Sequence, residues 1–97
     1  MEPLTLRYFR EVAAHGSVRH AAEKLFVAPS AVSRQIALLE DELGVPLFDR
    51  HGREVSLSTA GEYFLVHARR LLADLKEADN AMARFKRLTH DLGIART

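Results

Sequence analysis

From Phe64 to Asp91 neither proline nor glycine interrupts the chain, and Phe64, Ala68, Leu71, Leu75, Ala78, Met82 and Phe85 recur at alternating intervals of four and three residues. That is the a/d spacing of a helix with one apolar edge. Just upstream, Thr59 and Glu62 have the spacing of a capping box, so a helix is predicted from Thr59 to about Asp91. At 1.5 Å per residue it would be roughly 50 Å long. The 58 residues before it would form a body with a radius of gyration of only about 10 Å, so the rod must project. Its far half would then leave an apolar stripe in water unless something covers it, and a second copy of the same helix is the simplest cover. A homodimer is therefore expected, with those seven residues as its seam. The competing arrangement breaks the helix near Ala73 or Asp74 and folds the stripe back on the body.

The residues before Thr59 read as three short helices and a hairpin. Leu6, Phe9, Val12 and Ala13 mark the first helix, over Leu4 to Ala14, with Gly16 as its stop. Ser17 suits the N-cap of a second helix whose inner face is Ala21, Ala22 and Leu25 and which ends near Phe26. Pro29 suits the first position of a third, where its missing N–H costs nothing, and Val32, Ile36, Leu39 and Leu43 form its stripe up to Gly44. After Gly44, apolar residues at both ends of VPLFDRHGREVSL flank a turn centred on His51 and Gly52. The predicted class is mainly α: a winged helix-turn-helix of three helices plus a β-hairpin wing over 1–58, then a long dimerisation linker helix and tail over 59–97.

The chemistry is sparse. Cysteine is absent, which excludes disulfides and thiolate metal sites, and the five histidines match no common metal spacing. No phosphate-cradling glycine loop is present, so no catalytic residue, metal or cofactor is assigned and an enzyme is not expected. No run of 18 apolar residues and no signal-peptide pattern occurs, which points to the cytoplasm and away from membranes. Fourteen basic residues against thirteen acidic leave a net charge of only +1, so any nucleic-acid binding must come from placement, not bulk charge.

Placement does favour double-stranded DNA. At 100° per residue from Val32, Ile36, Leu39 and Leu43 lie within about 40° of it, whereas Ser30, Arg34 and Ala37 fall on the far side and Ser33 flanks them. A small, polar, singly charged face can enter a major groove, where Arg34 offers two donors to guanine. Pro29 and Ser30 lie at the helix's positive pole, which favours phosphate, and Glu40, Asp41 and Glu42 gather at the other pole. Ser17 and His20, at the start of the second helix, are candidate phosphate contacts. Arg50 and Arg53 beside the hairpin tip could reach a minor groove or guard a sheet edge against aggregation, with Arg53 preferred for the groove. The rival to DNA binding is a helical interaction protein that keeps its helix-turn-helix for packing alone.

These residues also carry a resemblance. Ala21-Ala22 with Leu25, SRQI at Ser33 to Ile36, the LE and ELG elements ending at Gly44, PLF at Pro46 to Phe48 and TAGE at Thr59 to Glu62 resemble the N-terminal winged helix-turn-helix of LysR-type transcriptional regulators. The similarity covers residues 4 to about 90, with the long helix in the place of the family's dimerising linker. It implies a bacterial homodimer on interrupted, roughly palindromic promoter DNA, with the Pro29 helix in the major groove and the wing in the minor groove. Two departures stand out. Ala28-Pro29 replaces a more usual Ser-Gln, which removes a cap worth about 1 kcal/mol and a glutamine able to read adenine. Family members also continue into a periplasmic-binding-protein-like domain, so a small-molecule inducer would belong only to a longer parent protein; an excised domain and a naturally short relative both fit.

Overall fold

A computed structural model describes residues 1–93 as α1 (Pro3–His15), α2 (Val18–Leu25), α3 (Pro29–Leu43), β1 (Phe48–His51), β2 (Glu54–Leu57) and α4 (Thr59–Asp91). All four expected helices are present, and α4 runs unbroken through Ala73 and Asp74. The last residues of the expected tail, 94–97, lie outside the described residues.

The local signals act largely as the sequence suggests, with two shifts of one residue. The Ser17 hydroxyl accepts from the His20 N–H at 3.2 Å and caps α2, and Ala28 leaves α3 without a side-chain cap. At α4 the cap is Ser58, not Thr59: its hydroxyl accepts from the Gly61 N–H at 3.0 Å. The expected box with Glu62 therefore does not form, because Thr59 already occupies the first helical position and residue three of the helix is Gly61. The hairpin turn is Gly52-Arg53, not His51-Gly52, since His51 pairs with Glu54 across the antiparallel ladder. Gly52 takes φ +65° and Arg53 a negative φ, the pattern of a type II′ turn, which needs glycine first. α2 ends with Phe26 at φ +59°, a left-handed conformation that is strained for an aromatic residue and has no counterpart in the sequence signals used above.

One core joins every element. Phe9 from α1 is fully buried, with ring centroids 5.3 Å from Phe48 of β1 and 5.1 Å from Phe64 of α4. Around this trio lie Val12, Ala21, Ala22, Val32, Ile36, Leu39, Leu47 and Val55, and the core does not stop at residue 58: Ala68 and Leu72 of α4 are buried in it. A polar tie also crosses it, the Thr5 hydroxyl donating to Gln35 Oε1 at 2.9 Å and fastening α1 to α3.

The connection from α3 to the wing is held by polar atoms on both sides. Glu40 Oε2 accepts from the Leu47 N–H at 2.7 Å and from the Phe48 N–H at 3.4 Å. From the other side the Ser58 N–H donates to the Leu47 carbonyl at 2.9 Å, and the Ser58 hydroxyl donates to the Pro46 carbonyl at 2.8 Å. The wing is docked through β2, where the Val55 N–H donates to the Gly16 carbonyl at 2.9 Å.

Only the first four turns of α4 touch the body. The molecule extends 59 Å along its longest axis with a radius of gyration of 17.4 Å, against about 12.5 Å for a compact chain of this length. Beyond Leu72 the rod stands in solvent, as its predicted length requires.

Gly61 tests the joint between rod and body. A Cβ there would collide with the Leu47 carbonyl oxygen and sit 3.0 Å from the Leu47 carbonyl carbon, both backbone atoms held by Ser58 and Glu40. Gly61→Ala should therefore cost about 3 kcal/mol by overpacking, read as a lower midpoint in urea unfolding.

Candidate nucleic-acid interface

α2 and α3 are joined by Phe26, Val27 and Ala28, with the Val27 N–H donating to the Ala22 carbonyl at 3.1 Å and closing the end of α2. Val32, Ile36 and Leu39 bury one side of α3 in the core. The opposite side, Ser30, Ser33, Arg34 and Ala37, is exposed, as is Pro29 at the helix start. Apart from Arg34 the side chains of that face before Asp41 are small, and Leu38, 55% exposed, stands on its flank. No side chain caps the α3 start, where the helix dipole is positive; the Ala31 N–H is taken by the Ala28 carbonyl at 3.0 Å, which leaves the Ser30 N–H at that end.

The acids divide by role. Glu40 is committed to the Leu47 and Phe48 amides, and Glu42 lies 3.1 Å from the amino group of Met1. Of the three acids of α3, Asp41 is the one that is exposed and in no ion pair among the described residues, two turns beyond Arg34. Arg34, Arg50 and Arg53 are likewise in no ion pair among the described residues, so their guanidinium groups remain available to an anion.

The other nominated residues separate by exposure. His20 is exposed on the first turn of α2, beside Arg19, which is exposed and in no ion pair among the described residues and which the sequence reading did not single out. Ser17 is only 8% exposed and its hydroxyl is already occupied by the His20 amide, so its observed work is capping. On the wing, Arg53 is in the turn at the tip. Arg50 stands opposite Val55 and thus on the sheet face that looks toward the body, while His51 on the other face lies 3.1 Å from the Ser56 hydroxyl.

The seven residues assigned to a dimer seam also divide. Ala68 is fully buried in the domain core and Phe64 is half-buried against Phe9, so the domain itself takes up both. The cause is that the heptad edge and the core-facing edge of α4 coincide over its first turns, and sequence spacing cannot separate them. Leu71, Leu75, Ala78, Met82 and Phe85 remain exposed and continue toward Leu88 and Leu92.

Comparison with known proteins agrees with this geometry. The family described as bacterial regulatory helix-turn-helix protein, lysR family, matches residues 4–62, which is more than half of the chain. The chain belongs to the lysR family. Among relatives, the transcriptional dual regulator GltC of Bacillus subtilis is 54% identical over 69 residues, covering 71% of this chain and 23% of its own length. The HTH-type transcriptional regulator ClcR of Pseudomonas putida is 49% identical over 72 residues, covering 74% and 24%. The chain thus spans about a quarter of the length of these relatives. Among solved structures, the DNA-binding domain of BenM in complex with benA site 1 DNA has a TM-score of 0.83 at 38% identity, over 88% of this chain and 99% of that one. The CbnR DNA-binding domain in complex with DNA gives 0.80 at 38%, over 89% and 98%. The chain is a helix-turn-helix DNA-binding domain of a family of transcriptional regulators, not of enzymes. Among the described residues no helix is long and apolar enough to cross a membrane.

Ser17→Ala should lower stability by about 1 kcal/mol, the worth of an N-cap, in urea unfolding. Its affinity for duplex DNA, compared at one salt concentration where both chains are fully folded, should equal that of the parent chain.

Proposed function

We propose that the chain binds duplex promoter DNA as a symmetric pair, each copy inserting the N-terminal half of α3 into a major groove and its wing tip into the adjacent minor groove. The observation that carries this reading is the outer face of α3, exposed, built from small side chains and bearing one unpaired arginine at its centre. Pro29, Ser30, Ser33 and Arg34 are the groove residues, with Arg34 bidentate to a guanine. His20 contacts phosphate at the head of α2, and Arg53, at the apex of the wing, enters the minor groove with Arg50 beside it. Likeness to domains solved on DNA supports the same arrangement.

The pairing surface is the far part of α4, from Leu71 and Leu75 through Ala78 and Met82 to Phe85. Met82 is 63% exposed and Phe85 56%, an apolar edge that a second copy of the rod would cover. The partners are thus duplex DNA and a second copy of this chain. The site of action is the cytoplasm, and any inducer would bind a further domain of a longer protein.

Selection from random duplexes, followed by salt titration of the winners, tests the whole reading. Two related half-sites should emerge with centres about 34 Å apart or a multiple of that, and log affinity should fall linearly with log salt. A chain with no DNA salt slope would instead be a helical interaction protein. Arg34→Ala should cost about 1 to 3 kcal/mol on the preferred site and relax specificity there, whereas Arg53→Ala should weaken binding more evenly across sequences; competition assays separate the two patterns. Leu75→Asp would set a charge into the rod seam, and sedimentation should then report a monomer where the parent chain gives a dimer.

A further inference from the structure

The groove-facing strip of α3 limits which bases it can read. At about 100° per residue, Ser30, Arg34, Ala37 and Asp41 fall within roughly 40° of the direction opposite Val32, and all four are exposed. They present a hydroxyl, a forked donor, a methyl group and a carboxylate. Adenine in the major groove calls for a side chain that donates and accepts in one plane, asparagine or glutamine. The chain's one glutamine, Gln35, is turned the other way, its Oε1 accepting from the Thr5 hydroxyl on α1, and its one asparagine, Asn80, is on the rod. The strip therefore has no adenine reader.

Ala37 is its only apolar member. With nothing beyond Cβ it lets the helix approach the base edges closely, and a methyl at that depth matches the C5-methyl of thymine. Arg34 and Ala37 are three residues apart, about 4.5 Å along the helix axis, against a base-pair rise of about 3.4 Å. Leu38 is exposed too, but lies about 60° off the outward direction, on the flank. Asp41 closes the strip, because its carboxylate is repelled by the phosphate walls of the groove.

We propose that Ala37 is a specificity-determining residue that selects thymine through its C5-methyl group, one or two base pairs from the guanine held by Arg34. This rests on the groove-binding reading above.

The test uses duplexes recovered by selection with the full chain and copies in which single thymines are replaced by deoxyuridine, which lacks only the C5-methyl. One thymine, within two base pairs of the guanine whose preference Arg34→Ala abolishes, should lose about fourfold in affinity on replacement, the effect of withdrawing one methyl from apolar contact. Ala37→Gln, a change at an exposed helix position, should shift the selected base at that step from thymine to adenine. The proposal is overturned if no thymine in that window is selected, if every deoxyuridine copy binds like its parent, or if Ala37→Gln still selects thymine, which would assign the methyl contact to a neighbour such as Leu38. Absence of any duplex selectivity would overturn the groove-binding reading itself, whereas the three preceding outcomes leave that reading standing.

Discussion

The backbone of Pro46 and Leu47 is where the fold is keyed together. Three residues after α3 the chain must leave a helix end, turn into a strand and pass beneath the start of α4, and each step exposes polar atoms that the interior cannot leave unpaired. Glu40 answers one side with its carboxylate, Ser58 answers the other with both its N–H and its hydroxyl, and Gly61 supplies the missing Cβ that lets α4 lie against the Leu47 carbonyl. α3, the wing and the rod thereby acquire fixed relative directions from one short segment. Charge-assisted hydrogen bonds to backbone amides are worth about 1.5 to 3 kcal/mol each when buried, enough to set geometry without a larger core.

That rigidity explains how a nearly neutral protein can address a polyanion. A net charge of +1 gives little long-range pull, so contact must come from where a few cations are held. Two of the three acids of α3 are arranged to allow this: Glu40 faces inward to the Leu47 amide and Glu42 lies at the Met1 amino group, while Arg34 is the one cation of the outer face and the exposed Asp41 lies two turns further along.

Most of the architecture was legible from periodicity and punctuation. Pro29 and Gly44 bracket α3, Gly16 and Ser17 separate α1 from α2, and an uninterrupted heptad stripe announced α4 almost to the residue. What stayed hidden depends on contacts between distant residues. Glu40 reads as one acid among three until its carboxylate is seen on the Leu47 amide, and Gln35 reads as a surface amide until Thr5 claims it. Ser58 displaced Thr59 as the cap because it also bonds Pro46, twelve residues back, which no local pattern encodes. For the same reason Phe64 and Ala68 looked identical to Leu75 and Met82 in a list of heptad positions, although the first pair lies inside the body and the second beyond it. The candidate contact residues of α3 were legible because a helix's outer face follows from its inner one; the precise tip of the wing was not, since the register differs by one residue from the apparent turn centre.

The first turns of α4 are wedged among Leu47, Phe9 and Leu57, yet the same helix continues about 28 Å past Leu72 with no glycine or proline in that length to act as a hinge. Mechanically it is a crank soldered to the reading head. A tilt of about 10° imposed at its outer end moves that end by roughly 5 Å over this length, and the stiffness that carries the motion outward carries it inward as well. Whatever grips the outer end therefore shifts the bearing of α3 without touching α3 itself.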